Sequence, residues 1–221
     1  MIDWEKALQE KTKENLLECE KKLGSKEYRT KIEKWCRKFG FDFNEVFEKA
    51  KSDYLFRAWF AKEAKKQNIY EKALAIYISS LPFVFNFKKL NSSGKNALYV
   101  DHGDIRKRSE YGVKPSTKSI DFFWNIKNNK GETINFYAFH KYIKQSGGTQ
   151  DTQFGEIKSC IEVSRNGSQK SNRRVIFICD GDYFTDKKRK ELKNLISNWN
   201  DAILSNEELE KHLKKAQENN E

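Results

Sequence analysis

Asp121 and Lys141 are the two residues in this chain whose types and setting best suit chemistry. Asp121 lies in the run Ser119-Ile120-Asp121-Phe122-Phe123-Trp124-Asn125-Ile126, among bulky apolar residues. An ionised carboxylate in such a run is costly unless something positive compensates it. Lys141 follows in Tyr137-Ala138-Phe139-His140-Lys141-Tyr142, a second apolar run. If the runs are neighbouring strands, an Asp facing a Lys can hold a divalent metal and a water. The Asp supplies hard oxygen, and the Lys lowers the pKa of the attacking water and stabilises developing negative charge. Phosphodiester hydrolysis requires that combination; a plain cross-strand ion pair is the bland alternative. The segment Ser146-Gly147-Gly148-Thr149-Gln150-Asp151-Thr152-Gln153 comes next. Two glycines allow close backbone approach to a ligand. The helix that follows aims its free N–H groups at an anion site, with Gln150 and Gln153 on one face.

These residues need elements to position them. Residues 3–78 show helical periodicity. Trp4, Leu8, Leu16 and Leu17 set it, and Tyr28, Ile32, Trp35 and Cys36 repeat it up to a stop at Gly40. A helix from Phe43 is expected to run through Tyr54, Leu55, Trp59 and Phe60, with another short one over Tyr70–Ile78 ahead of Pro82. The texture then changes to strands at 83–87, 97–100, 119–126 and 133–143. Asn-rich residues 127–132 turn the last two into an antiparallel hairpin. A helix is expected over 150–163. Val175–Cys179 is wholly apolar, as a strand covered on both faces is. A helix over 186–199, a strand at 202–204 and a helix opened by a Ser205/Glu208 capping box complete the order. The expected fold is α/β, with a mixed sheet flanked by helices and an N-terminal helical region. The domains are expected at 1–80 and 81–221.

Lys and Arg number 43 against 32 Asp and Glu, a net charge of +11. Residues 81–180 carry 17 basic and 9 acidic side chains, against 18 and 14 in residues 1–80 and 8 and 9 in 181–221. The excess therefore sits with the strands, where cations can hold a polyanion in register. No run approaches a membrane span, and Met1-Ile2-Asp3-Trp4-Glu5 lacks the look of a secretory signal. The cysteines Cys19, Cys36, Cys160 and Cys179 form no CxxC pair. With only His102, His140 and His212 beside them they show no zinc spacing, and they read as reduced thiols.

Lys118-Ser119-Ile120-Asp121-Phe122, His140-Lys141-Tyr142 and the Gly-Gly-Thr-Gln-Asp-Thr-Gln segment resemble the core of type II restriction endonucleases of the PD-(D/E)XK superfamily. The run Phe177–Phe184 and the ending near Glu207–Leu213 are also similar, so the resemblance spans about residues 95–215. It implies a restriction-endonuclease-like sheet and Mg²⁺-dependent, site-specific cleavage of double-stranded DNA to 5′-phosphate ends. It also implies a homodimer on a palindromic target, a cognate DNA methyltransferase as functional partner, and a prokaryotic cytoplasm. The N-terminal helices would serve target recognition or dimerisation.

Carried over residue by residue, Asp121 matches the metal-binding aspartate and Lys141 the lysine of the motif. The acid slot two positions before Lys141 holds Phe139, a departure, because phenylalanine cannot bind metal. Three sources of a replacement stay open: His140 entering through a bulge, Asp151 or Glu156 from the following helix, or Glu71 upstream. A shifted register would put His140 in the acid slot at the expense of the lysine. Gln153 and Gln150 would orient the site or the DNA strand. Lys144, Arg106, Arg108, Arg173 and Arg174 are candidate phosphate contacts. Asp180-Gly181-Asp182 reads as a strand-end turn, His102 as a loop residue and His212 as idle. Two rival functions remain: nucleic-acid binding on a degenerate nuclease core, and a repair or RNA-processing nuclease.

Overall fold

The computed structural model describes residues 1–102, 104–111, 117–144, 147–164, 172–196 and 202–218, with the side chains of 65, 66 and 149 excepted. The chain divides into two compact units, Asp3–Ala73 and Met1–Ile2 with Leu74–Glu221. The division falls inside a helix, not after it at residue 80.

The first unit is helical: α1 (Trp4–Lys22), α2 (Lys26–Phe39), α3 (Phe43–Ser52), the single turn α4 (Tyr54–Arg57) and the start of α5 (Ile69–Ser80). Asp3, Asp42 and Asp53 cap α1, α3 and α4 by accepting backbone N–H bonds in their first turns. Gly40, at φ +75°, closes α2 as expected. The expected long helix through Trp59 is instead broken at Asp53, whose carboxylate bonds the Phe56 N–H and restarts the chain as α4. As a result Leu55 and Trp59 are exposed, 77% and 70%, instead of buried. Cys19, Tyr28, Ile32, Phe47 and Phe60 form the core of this unit.

The second unit is α/β, with a mixed five-stranded sheet in the order β1 (Phe85–Lys89), β4 (Phe122–Lys127), β5 (Thr133–Tyr142), β6 (Arg173–Asp180), β7 (Ala202–Leu204). β1, β4 and β5 run antiparallel, whereas β5, β6 and β7 run parallel. The change of direction follows from the connections. The β4–β5 turn is tight, with Asn128 Oδ1 accepting the Lys130 and Glu132 N–H bonds and Gly131 at φ +80°. The parallel strands are joined through α6 (Gly148–Ser164) and α7 (Asp186–Lys193).

Two differences from the sequence reading matter for the site. Asp121 precedes β4, although its N–H still bonds Ala138 O at 2.9 Å. Residues 98–107 form a separate antiparallel hairpin, β2 (Leu98–Asp101) and β3 (Asp104–Lys107). The expected helix over 186–199 ends at Lys193, and its last residues lie outside the described ones. Phe139, Val175, Phe177 and Cys179 form one sheet face, packed on Phe154, Ile157 and Ile161 of α6. The alternate face is covered by α8 (Asn206–Glu218), which packs on β4, β6 and β7. Its Ser205/Glu208 capping box forms as expected. Among the described residues no helix is long and apolar enough to cross a membrane.

Candidate active site

The site grows from the point where β4 leaves β5. Phe122 pairs with Ala138 at the end of the β4–β5 ladder, and the Asp121 N–H bonds the same Ala138 carbonyl, so the regular alternation stops there. Asp121 Oδ2 accepts the N–H of His140 at 2.8 Å, a donor of β5 that the departing strand no longer takes up. The same oxygen receives the ammonium of Lys118, which also donates to His140 O at 3.1 Å. The carboxylate is thus 6% exposed yet compensated, as its burial requires.

Lys141, two residues beyond Phe139, lies on the same face. Its Nζ meets Glu156 Oε2 of α6 at 3.0 Å. Lys118, Lys141, Glu156, Ile157, Cys160 and Cys179 help to line a pocket of about 10 Å³, room for a single water. Burial pushes the Cys160 thiol up to about 11 and Cys179 up to about 12, so both are neutral walls. The charges of Lys118, Asp121 and Glu156 act on the Cys160 thiol more weakly than its burial does. Gln153, half-buried, lies one helical turn from Glu156 and Ile157 on α6. Gln150 donates its N–H to Gly147 O at 3.0 Å as the helix begins.

Several expected contributors lie elsewhere. No bulge brings His140 into the site, because β5 keeps regular register with β6 from Asn135 to Tyr142. His140 faces the α8 side, its Nε2 3.7 Å from Asp180 Oδ2. That regular register also removes the shifted alternative with His140 in the acid slot. Asp151 bonds the Tyr183 hydroxyl and lies 3.7 Å from Lys188 Nζ. Glu71 belongs to α5 within the helical unit. Asp180 Oδ1 caps α8 through the N–H and side-chain amide of Asn206, at 2.9 and 3.0 Å.

The candidate phosphate contacts do not form one patch. Arg106 is paired with Asp101 at 3.2 Å, and Arg108 donates to Tyr111 O at 3.1 Å. Arg173 ties β6 to β3 through Asp104 at 3.1 Å. Arg174 points to the other face, where with burial it holds the His212 pKa down. Both arginines pair near Asn135 and Phe136, at the far end of β5 from Lys141, about 20 Å at strand rise. Lys144 is exposed just beyond β5. His102 lies in the β2–β3 turn, bonded to Asp101 at 2.7 Å. All four cysteines are free and buried.

Among the described residues no group of three or more His, Cys, Asp or Glu converges as a metal cage. The hard oxygens that do converge are Asp121 Oδ2 and His140 O, both on the Lys118 ammonium, while Glu156 pairs with Lys141. A carboxylate oxygen and a backbone carbonyl are hard oxygens of the kind Mg²⁺ takes.

No protein-family model matches the chain, and no curated protein or solved structure matches it either. Lys118 is the residue that sequence reasoning passed over. The signal was its position three residues before Asp121, on a stretch outside the strand.

Proposed function

We propose that the chain is a Mg²⁺-dependent, site-specific endonuclease of double-stranded DNA that leaves 5′-phosphate ends. The observation that carries this reading is the convergence of the Asp121 carboxylate and the His140 carbonyl on one cation, beside the Lys141–Glu156 pair that starts at the next residue of β5. Glu156 then takes the part that Phe139 cannot. A bound Mg²⁺ would supply Lewis acidity and neutralise phosphate charge. Asp121 and the His140 carbonyl would hold it, with Glu156 as the further carboxylate. Lys141 would orient the water and stabilise charge on the attacked phosphate. Gln153, one turn away, would position the strand. Site specificity, the homodimer, the methyltransferase partner and the prokaryotic cytoplasm rest on the family resemblance.

The test is plasmid digestion with Mg²⁺ or Mn²⁺ by wild type, Asp121→Ala and Lys141→Ala, beside binding in Ca²⁺. Discrete fragments from wild type alone, with binding retained in both variants, are expected. Cleavage by either variant refutes the assignment. Phe139 in the acid slot, with the Asp121 charge met by Lys118, favours a second reading: a DNA-binding module on a degenerate core. Binding without cleavage under every divalent metal would establish it. Fragments without discrete bands would point to a structure-specific repair or RNA-processing nuclease.

A further inference from the structure

Two oxygens from different segments converge on one ammonium. Asp121 Oδ2, ahead of β4, and His140 O, in β5, both accept from Lys118 Nζ. The lysine comes from the stretch before Asp121 that is neither helix nor strand, so its delivery depends on a side-chain stem and not on a rigid element. Its side chain is 29% exposed while that of Asp121 is 6% exposed, so the lysine lies nearer to water than the carboxylate it pairs with.

An ammonium and a divalent ion cannot share this place. Both need the same oxygens, and like charges a few ångströms apart repel strongly in a poorly solvated site. The buried carboxylate, in turn, cannot be left without a cation. We infer that Lys118 is the resident cation of this site, and that a divalent metal binds only by displacing its ammonium from Asp121 and the His140 carbonyl. This rests on the metal-dependent reading above and adds to it a competitor built into the chain. Lys118 has two positions, on the carboxylate without metal and turned to solvent with it. Metal affinity is set by the difference between them.

The inference predicts a gain of function in binding, which a merely structural lysine would not give. Mn²⁺ binding to the full chain without nucleic acid can be read from the spin-resonance signal of free Mn²⁺. Lys118→Met should bind Mn²⁺ about tenfold or more tightly than wild type, the scale on which groups beside a metal's ligands alter affinity. Lys118→Arg keeps the competing cation and should stay near wild type, while Asp121→Asn should lose binding. Equal affinity in wild type and Lys118→Met overturns the inference, yet leaves the nuclease reading standing if wild type binds Mn²⁺ and cuts. Absence of binding in every variant sinks both.

A measurement on wild type alone covers the case in which Lys118→Met fails to fold. Amine acetylation followed by peptide mass spectrometry should show Lys118 labelling rise severalfold on adding Ca²⁺. Labelling that does not change also overturns the inference.

Discussion

Lys141 of β5 and Glu156 of α6 form an ion pair at 3.0 Å, with side chains 20% and 47% exposed. An ion pair this wet adds little to stability, below about 1 kcal/mol. Lys141→Ala and Glu156→Gln should therefore leave urea unfolding almost unchanged, while cleavage falls by about 10²–10³, the usual scale for losing a charge-stabilising group. A large loss of stability in either variant would make the pair a structural clasp.

Asp121 should behave differently, because its carboxylate serves the fold as well. It accepts both the His140 N–H and the Lys118 ammonium. Asp121→Asn should lose cleavage and also cost about 2 kcal/mol, the worth of hydrogen bonds to a charged group. Urea midpoints for this variant against Lys141→Ala would expose the contrast.

Phe139 occupies the acid slot for a packing reason. It is 3% exposed and stacks on Phe177 with centroids 5.0 Å apart and planes 5° apart. Restoring an acid by Phe139→Glu should therefore unfold the chain and not raise activity, since a carboxylate would replace a buried ring. Phe139→Ala should cost about 3–5 kcal/mol. A folded, more active Phe139→Glu would show that the acid was missing and not relocated to Glu156.

Why one acid on α6 and not another was illegible in sequence is a matter of phase. Asp151 and Glu156 are five residues apart, about 140° around a helix, so only one can face the sheet. Which one does depends on how Phe154, Ile157 and Ile161 pack on Phe139 and Phe177, and that contact is tertiary. Lys118 was hidden for a related reason, since a lysine three residues upstream reaches Asp121 only if the intervening backbone bends back. Features fixed locally were legible: the Asn128–Gly131 turn, the apolar run of β6 and the Ser205/Glu208 cap. β3 was not legible, because its four residues include the exposed Arg106 and Lys107 and show no alternation to read. The break at Asp53 was missed because a helical period runs on through a residue whose side chain prefers to cap.

The buried thiols give the fold a pH dependence of fixed sign. Burial raises Cys160 to about 11 and Cys179 to about 12, above the ordinary 9.0 that an unfolded chain would show. Above pH 9 the unfolded state releases thiol protons that the folded state keeps, so stability is intact below pH 9 and falls towards pH 11–12. Each thiol should contribute about 1.4 kcal/mol per pH unit within its window. Urea unfolding at pH 7, 9 and 10.5 should show the decline, and Cys179→Ala should flatten it. An equal slope in that variant would remove Cys179 from the account.

Gly181 couples stability to the site, and a second glycine provides the control. Gly181 turns the chain at the end of β6 with φ +96°, and a Cβ there would lie 2.2 Å from Ile143 O. That carbonyl accepts the Tyr183 N–H at 3.2 Å, and the Ile143 N–H bonds Asp180 O at 2.9 Å. The turn thus latches the end of β5 two residues beyond Lys141. Gly181→Ala must move backbone, not a flexible side chain, and should cost more than about 2 kcal/mol through clash and positive φ together. The displaced Ile143 should carry Lys141 with it and lower cleavage. Gly131 sits at the other end of β5, with φ +80° and nothing within 4 Å of its added Cβ. Gly131→Ala meets backbone strain alone and should cost about 1 kcal/mol with cleavage unchanged. Urea midpoints and plasmid cleavage measured on both variants separate the two effects. Full activity in a folded Gly181→Ala would show that the β6 turn does not position Lys141.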